Sequence, residues 1–464
     1  MILSYPESTY RSSLRTHGSI LNESPEMIIP KMISSMGFHT FSIFHRLTYD
    51  EALTLYKAFD SYSDINISPL DKKHKKHEGF PKRYIAKYRG KDKGITWYVR
   101  FSDELSNLIY TTSNPNNPNY WKEPKPYSVR AKINPKVFTG DVDYLRAANA
   151  TYLRDVERLF NIEASKISPI LGRFEDYFMN RIDYCFNANT LELHMGCTGK
   201  QLMYLVEMGD IPRSFQEDMW HDKEKSRKWK AYDNNFRLHN KSVTVNYYNK
   251  HEQLLDKFPG CPNIKESMNM VRFEIQWMYS KVYSISKPLR DEMKIKLTLE
   301  EFFEKFYSDT LDLAVNPARK MMSDEFAENA TRKYMNKVIR KGDYFTLDGA
   351  RWMVQSHNFR RDKEDRLLHT LDLVKESRGI AKAKVRLERT NLNGSGVQSD
   401  ELKDFKRSLK DLDAIFVNPV TIPRRWGIRH IPHPLRAYYD CIYEERLITR
   451  RESVFLELLD DYLS

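Results

Sequence analysis

Ser242-Val243-Thr244-Val245-Asn246-Tyr247-Tyr248-Asn249-Lys250 is the stretch from which the rest of the chain is read. With a two-residue period, Val243, Val245 and Tyr247 share one side of a strand, and Thr244, Asn246 and Tyr248 share the other. The strand ends at Asn249-Lys250 and Glu252 follows, so two tyrosines, a lysine and a carboxylate gather at one strand end. A phenol is a usable nucleophile toward a phosphodiester when a cation or metal helps to ionise it. Tyrosine is also an ordinary strand residue, and one of an adjacent pair usually packs inward.

The neighbours of this strand set the fold class. Trp229–Leu238 reads as its hairpin partner, with the turn at His239-Asn240-Lys241, and His251–Phe258 as a short helix. Val271–Trp277 reads as a further strand. Upstream, Tyr127–Ile133 alternates as a strand, and Asn149–Ile162 places Tyr152, Leu153, Val156, Leu159 and Phe160 on one helical face. Phe178–Phe186 is read as a strand with Thr190–Met195 as its hairpin partner, and Gly199–Met208 as a helix. This order predicts an α+β layer, a largely antiparallel sheet with helices on one face.

Outside that region the pattern changes twice. Residues 1–30 read as an irregular polar arm, Phe38–Phe44 as a strand and Tyr49–Phe59 as a helix. The run Asp71–His77 carries Lys72, Lys73, Lys75 and Lys76, read either as a solvated loop or as a phosphate contact. Tyr84–Arg89 and Ile95–Phe101 are strand expectations, and Asn114–Asn119 is a turn or linker. From about Thr298 the spacing is helical: Leu299–Tyr307, Glu325–Arg340, Thr346–Ser356, Arg361–Glu376 and Ser399–Lys410. Thr346 reads as an N-cap and Gly379 as a C-cap. The basic residues Arg351, Arg360, Arg361, Lys363 and Arg366 suit either a helix-turn-helix or a plain helical bundle. The expected division is therefore 1–120, a basic N-terminal α+β region; 121–297, the sheet domain; and 298–464, a mostly helical C-terminal region.

A formal charge of +12 over 464 residues suits a polyanion, either nucleic acid or anionic lipid. The charge is interleaved with Tyr, Trp and Phe, which favours nucleic acid, because rings stack on bases while Lys and Arg meet phosphates. Cys185, Cys197, Cys261 and Cys441 show no paired spacing, so no zinc knuckle is expected. No leader pattern and no apolar run of membrane-spanning length is present, and the expectation is a cytoplasmic protein without a membrane partner.

Two acids stand out. Asp183 lies in Arg181-Ile182-Asp183, and Glu274 lies in Arg272-Phe273-Glu274, each on a presumed strand with an arginine two residues before it. For Asp183 the plain reading is an ion pair with Arg181, which shares its strand face. If the strands are neighbours, Asp183 and Glu274 converge as hard oxygen ligands for Mg²⁺ or Mn²⁺, with Glu252 a third possible ligand. Such a metal would polarise a scissile phosphate.

Together these stretches resemble a family. Arg-Ile-Asp at Asp183, Tyr-x-Lys-x-Glu at Tyr248–Glu252 and Arg-Phe-Glu-Ile-Gln at Arg272–Gln276 are similar to the rolling-circle replication initiators of Gram-positive plasmids, integrative elements and filamentous phages. The resemblance covers roughly residues 125–280, and more weakly the helical part around 342–380. It implies a palm-like antiparallel sheet, a divalent ion and a 5′-phosphotyrosyl intermediate. The chain departs from the family's pattern in two places. Asn187 stands where related proteins often carry a second acid, which either weakens metal binding or shifts the expected ligands toward Glu252 and Glu274. A His-hydrophobic-His pair is absent: His430-Ile431-Pro432-His433 has the spacing, but its prolines argue against a regular strand. His430 and His433 are read as structural or surface residues, His194 as a half-buried residue on a strand, and Tyr184 as packing.

Tyr248 matches the family's Tyr-x-Lys position, while Tyr247 makes a Tyr-x-x-Lys with Lys250. They point to opposite faces, and only one can share the face of Asp183. Lys250 would steady the phosphate or lower the phenol pKa. Arg181, Arg272, Lys72, Lys73, Lys75, Lys76, Arg360 and Arg361 are the expected DNA contacts. The leading expectation is an initiator nuclease acting on single-stranded or melted origin DNA, with a host helicase and a homodimer as further partners. The alternatives are a non-enzymatic sequence-specific DNA-binding protein on the same fold, a palm-type primase or nucleotidyl transferase using Asp183 and Glu274, and an RNA-binding protein.

Overall fold

The computed structural model describes residues 32–61, 76–77, 80–81, 86–87, 94–101, 127–141, 143–217, 236–257, 260, 263–286, 317–390 and 400–444. The described strands are β1 (Ser35–Leu47), β2 (Lys76–His77), β3 (Phe80–Pro81), β4 (Ala86–Lys87), β5 (Ile95–Phe101), β6 (Tyr127–Ile133), β7 (Phe178–Asn189), β8 (Gln216–Glu217), β9 (Phe236–His239), β10 (Val243–Asn249), β11 (Met270–Trp277), β12 (Tyr344–Phe345) and β13 (His430–Ile431). The described helices are α1 (Tyr49–Ser61), α2 (Pro135–Phe138), α3 (Tyr152–Ile167), α4 (Gly199–Glu207), α5 (Lys250–Lys257), α6 (Pro317–Met321), α7 (Asp324–Val338), α8 (Leu347–Gln355), α9 (Arg361–Ser377), α10 (Ile380–Thr390) and α11 (Asp400–Ala414). Residues 279–286 and 434–444 are also helical.

Nine strands form one antiparallel sheet in the order β4-β5-β6-β1-β7-β11-β10-β9-β8. The fold is α+β, with a mostly helical C-terminal region, as the strand and helix periods predict. Strand β1 lies between β6 and β7, so the N-terminal strands belong to the same sheet as the Tyr247-Tyr248 strand. Alternation assigns the two faces. Phe38, Phe41, Trp97, Ala131, Ile182, Tyr184, Phe186, Val245, Tyr247, Phe273 and Ile275 are buried in one apolar cluster with residues of α1, α3, α4 and α7. Tyr184 donates to the Met321 carbonyl at 2.6 Å, which ties this face to the end of α6. The other face carries Thr96, Tyr98, Arg130, Lys132, Thr40, Ser42, Arg181, Asp183, Glu274, Gln276, Asn246 and Tyr248, as the register dictates.

Local chemistry explains the elements around Tyr248. Asn240 Oδ1 accepts from the backbone N–H of Ser242 and of Val243, both at 2.8 Å, which closes the β9–β10 turn. At the other end of β10, Asn249 Oδ1 accepts from the N–H of His251 at 3.0 Å and of Glu252 at 3.3 Å. This N-cap stops the strand and starts α5 at once.

Several expectations are corrected. Residues 190–195 are a turn and not a strand: β7 runs on to Asn189, whose side chain accepts from the Leu191 N–H at 3.1 Å and donates to the Glu266 and Met268 carbonyls. His194 is exposed in that turn, at φ 48, rather than half-buried on a strand. Arg378, not Gly379, takes the left-handed position that ends α9. Helix α10 lacked an expectation of its own. Thr346 does cap α8, accepting from the Gly349 N–H at 3.2 Å.

In the C-terminal helices the basic residues mostly meet acids. Arg351 pairs with Asp372 at 2.6 Å, and Arg366 with Asp411 at 2.7 Å. Lys363 lies 3.6 Å from Asp411. Helices α8, α9 and α11 share a small core of Leu347, Val354, Leu367, Leu371 and Leu412. His430 and His433 both serve Asp343: His430 Nε2 lies 2.9 Å from its carboxylate, and the His433 N–H donates to it at 2.7 Å. Burial pushes His433 down to about 4, so it is neutral at neutral pH. Asn114–Asn119, Leu299–Tyr307, Lys72, Lys73 and Lys75 lie outside the described residues. Lys76 belongs to β2, which pairs with β3. Among the described residues no helix is long and apolar enough to cross a membrane.

Candidate active site

The polar face of the sheet brings together Asp183, Glu274, Tyr248 and two arginines. Strands β7 and β11 are neighbours, with Gln276 opposite Asp183 and Glu274 opposite Cys185. Asp183 and Glu274 are therefore diagonal neighbours on one face, and both are buried, at 2% and 7% exposure. Burial raises the Asp183 pKa to about 6, the nearby Glu274 charge adds to the rise, and the Arg181 pairing opposes it. Arg181 grips Asp183 with two hydrogen bonds of 2.7 Å, from Nε and from one terminal nitrogen.

Tyr248 sits beside this pair. Its hydroxyl donates to Glu274 Oε2 at 3.1 Å, and the Gln276 amide donates to Oε1 at 2.7 Å. Burial raises the Tyr248 pKa, Arg272 opposes the rise, and Glu274 reinforces it. At rest the phenol is thus protonated and hydrogen-bonded to Glu274. Tyr247 is on the opposite face, packed on Phe273 with ring centroids 4.2 Å apart. It does not join Asp183.

Arg272 is 1% exposed. Its Nε donates to Asn187 Oδ1 at 2.6 Å, and Asn187 Nδ2 donates to the Leu145 carbonyl at 2.5 Å. Asn187 is therefore a neutral bridge that anchors the arginine beside Tyr248. The segment that supplies Leu145 lies against β1 because Gly37 leaves room. A Cβ on Gly37 would lie 2.0 Å from the Ala148 carbonyl oxygen. Leu145, Leu254 of α5 and Met270 then close this end of the face with a small apolar cluster.

The remaining expected residues sit at the edge. Lys250 is buried, donates to Gln253 at 2.8 Å, and acts on Cys185, whose thiol burial pushes up to about 11 while Arg272 and Lys250 oppose the rise. Glu252, on α5, lies 3.5 Å from Lys200. Among the described residues no three of His, Cys, Asp and Glu gather as a metal site, so Glu252 does not complete a triad with Asp183 and Glu274. Arg360 and Arg361 are exposed at the start of α9, and Arg361 lies 4.0 Å from Asp365 of the same helix. Sequence reasoning gave no site role to Gln276 or Cys185 and did not single out Gly37 or Leu145. Gln276 was within reach, two residues from Glu274 on the same face, whereas Gly37 and Leu145 come from segments distant in sequence.

No family model matches the chain, and no curated protein matches it. Among solved structures, a rolling circle replication initiator protein from Geobacillus stearothermophilus is similar at a TM-score of 0.24 and 9% identity. That match covers 64% of this chain and 97% of the other.

Proposed function

We propose that this protein nicks single-stranded DNA at a replication origin by forming a phosphotyrosyl link through Tyr248, as the motif resemblance implies. The observation that carries the reading is the hydrogen bond from the Tyr248 hydroxyl to Glu274 Oε2 at 3.1 Å, on the face that also holds Asp183. A nucleophile bonded to its own base is the arrangement that activates a weak hydroxyl. In this reaction Tyr248 Oη bonds to phosphorus, its proton passes to Glu274, and the bond from phosphorus to the 3′-oxygen breaks. The released oxygen takes up a proton to become a 3′-hydroxyl. Arg272, held by Asn187, keeps a positive charge beside the phenolate as it forms.

The acids suit a divalent ion. Two buried carboxylates repel each other on one face, and Mg²⁺ needs only one or two protein carboxylates alongside phosphate and water. Asp183 and Glu274 would hold it, and the bound ion supplies charge that stabilises the phosphate as negative charge develops. Arg181 then orients Asp183 toward the site.

The test is a covalent adduct on a denaturing gel, with oligonucleotides tiling the DNA that flanks the protein's own gene and Mn²⁺ present. An adduct lost in Tyr248→Phe and kept in Tyr247→Phe supports the reading. An adduct that survives Tyr248→Phe removes it. One observation favours a second reading, a DNA-binding protein without nuclease activity: both oxygens of Asp183 are engaged by Arg181. Tight origin binding with no adduct under any metal selects that reading.

A further inference from the structure

Beyond the acids, the same sheet face ends in a group of aromatic rings that the reaction does not use. Phe44 of β1 pairs in register with Phe178 of β7, and their ring centroids lie 5.9 Å apart. Tyr279, just past β11, meets the Phe44 ring edge-on at 6.2 Å, and Tyr283 lies 6.0 Å from Tyr279. Phe178, Tyr279 and Tyr283 are 49%, 52% and 50% exposed. Single exposed rings are ordinary, but rings in mutual contact that stay open to water mark a binding surface.

Charge tells what the surface fits. The Arg46 guanidinium lies 5.7 Å from the centre of the Phe44 ring. Arg130 is opposite Phe44 on β6, and Lys132 is opposite Ser42. Tyr98 is opposite Arg130 on β5, and Arg130 and Arg181 both ease its ionisation against burial. Lys132 likewise acts on Asp183, so the cations run from the rings to the acids. Rings that stack on bases, flanked by cations that meet phosphates, form the pattern of a single-strand binding surface.

We propose that Phe44, Phe178 and Tyr279 form a stacking platform for the bases of a single DNA strand, with Arg46, Arg130 and Lys132 along its phosphates, leading that strand to Tyr248. The proposal rests on the nicking reading for its direction but not for its binding. Phe44 is four residues from Thr40, the partner of Asp183 across β1 and β7. The platform thus stands about 13 Å along the strand from the acids.

The experiment measures fluorescence anisotropy of labelled oligothymidine at fixed salt, without divalent metal. It uses a Tyr248→Phe background, so that cleavage cannot influence the result. An abasic strand of equal length and a duplex serve as parallel probes. Phe178→Ala and Tyr279→Ala are each expected to weaken oligothymidine binding about ten-fold, the range of one lost base stack. They should leave the abasic strand and the duplex unchanged. Phe178→Leu and Tyr279→Leu keep an apolar side chain without the ring face and should show the same loss if the alanine variants fold poorly. Unchanged oligothymidine affinity in the leucine variants, or an equal loss on the abasic strand, overturns the platform. Tighter binding of oligouridine through the same rings overturns the assignment to DNA. Absence of a Tyr248 adduct, with these binding results intact, removes only the nicking reading.

Discussion

Arg272 Nε donates a 2.6 Å hydrogen bond to Asn187 Oδ1, joining neighbouring strands at opposed positions on the polar face. Both side chains are buried, and Asn187 passes the connection on to the Leu145 carbonyl. Removing the amide strands a buried guanidinium. Asn187→Ala is expected to destabilise the fold by about 2–4 kcal/mol, read from urea unfolding. A change below the error of that measurement would mean that Arg272 finds another partner.

The adjacent tyrosines should separate stability from activity. Tyr247 fills the core against Phe273, so Tyr247→Ala should cost about 3–5 kcal/mol. Tyr248→Phe removes the hydrogen bonds to Glu274 and to Arg272, and should cost about 1–3 kcal/mol while abolishing the covalent adduct. Unfolding curves and the adduct gel, run on the same preparations, read both effects. The opposite pattern would assign the attacking group to the wrong face of β10.

Asp183 gives a pH signature. Its folded pKa of about 6 lies above the usual value of about 4, so the protonated form favours folding. That contribution is complete below about pH 4 and is lost as the pH rises through about 6. Relative to Asp183→Asn, which does not titrate, the native protein should gain about 1–3 kcal/mol of stability between pH 7.5 and pH 4.5. Parallel urea titrations at the two values measure the gap. Adduct formation should move the other way, rising through about pH 6 as the carboxylate ionises.

Metal dependence distinguishes the three acids. Asp183→Asn should raise the Mn²⁺ concentration needed for half-maximal adduct formation by at least about ten-fold, as a lost ligand does, whereas Glu274→Gln, which also removes the proton acceptor, should lower the adduct yield even at saturating Mn²⁺. Glu252→Gln should leave both unchanged, because Glu252 faces Lys200 and does not gather with the other two. Metal titrations of the adduct yield compare all three. An equal shift for Glu252→Gln would place that residue at the metal after all.

Gly37 tests how the site's floor is made. The added Cβ of Gly37→Ala would press on the Ala148 carbonyl oxygen, which is backbone and cannot rotate away. A cost of about 1–3 kcal/mol is expected. Because Leu145 moves with that segment, the Tyr248 adduct should also fall in conditions where the protein remains folded. A variant as stable and active as the parent would show that the segment can slide without consequence for Asn187.

The sequence by itself determined the strands that matter and the faces of their side chains. Period-2 alternation put Tyr247 and Tyr248 on opposite sides of β10, and the structure keeps them there. The Arg-x-acid spacing likewise predicted that Arg181 and Asp183 share a face and pair. These readings succeed because they depend only on backbone geometry over a few residues. Strand order, by contrast, was set by contacts between residues far apart in the chain. That β7 and β11 are neighbours, bringing Asp183 beside Glu274, follows from which apolar faces pack together, and β1 joins the same sheet from the N-terminal side for the same reason. Asn187 shows the difference most directly. In sequence it reads as a departure from a motif, whereas in the fold it is the amide between Arg272 and Leu145, because burial requires partners for its two hydrogen-bonding ends and these two supply them.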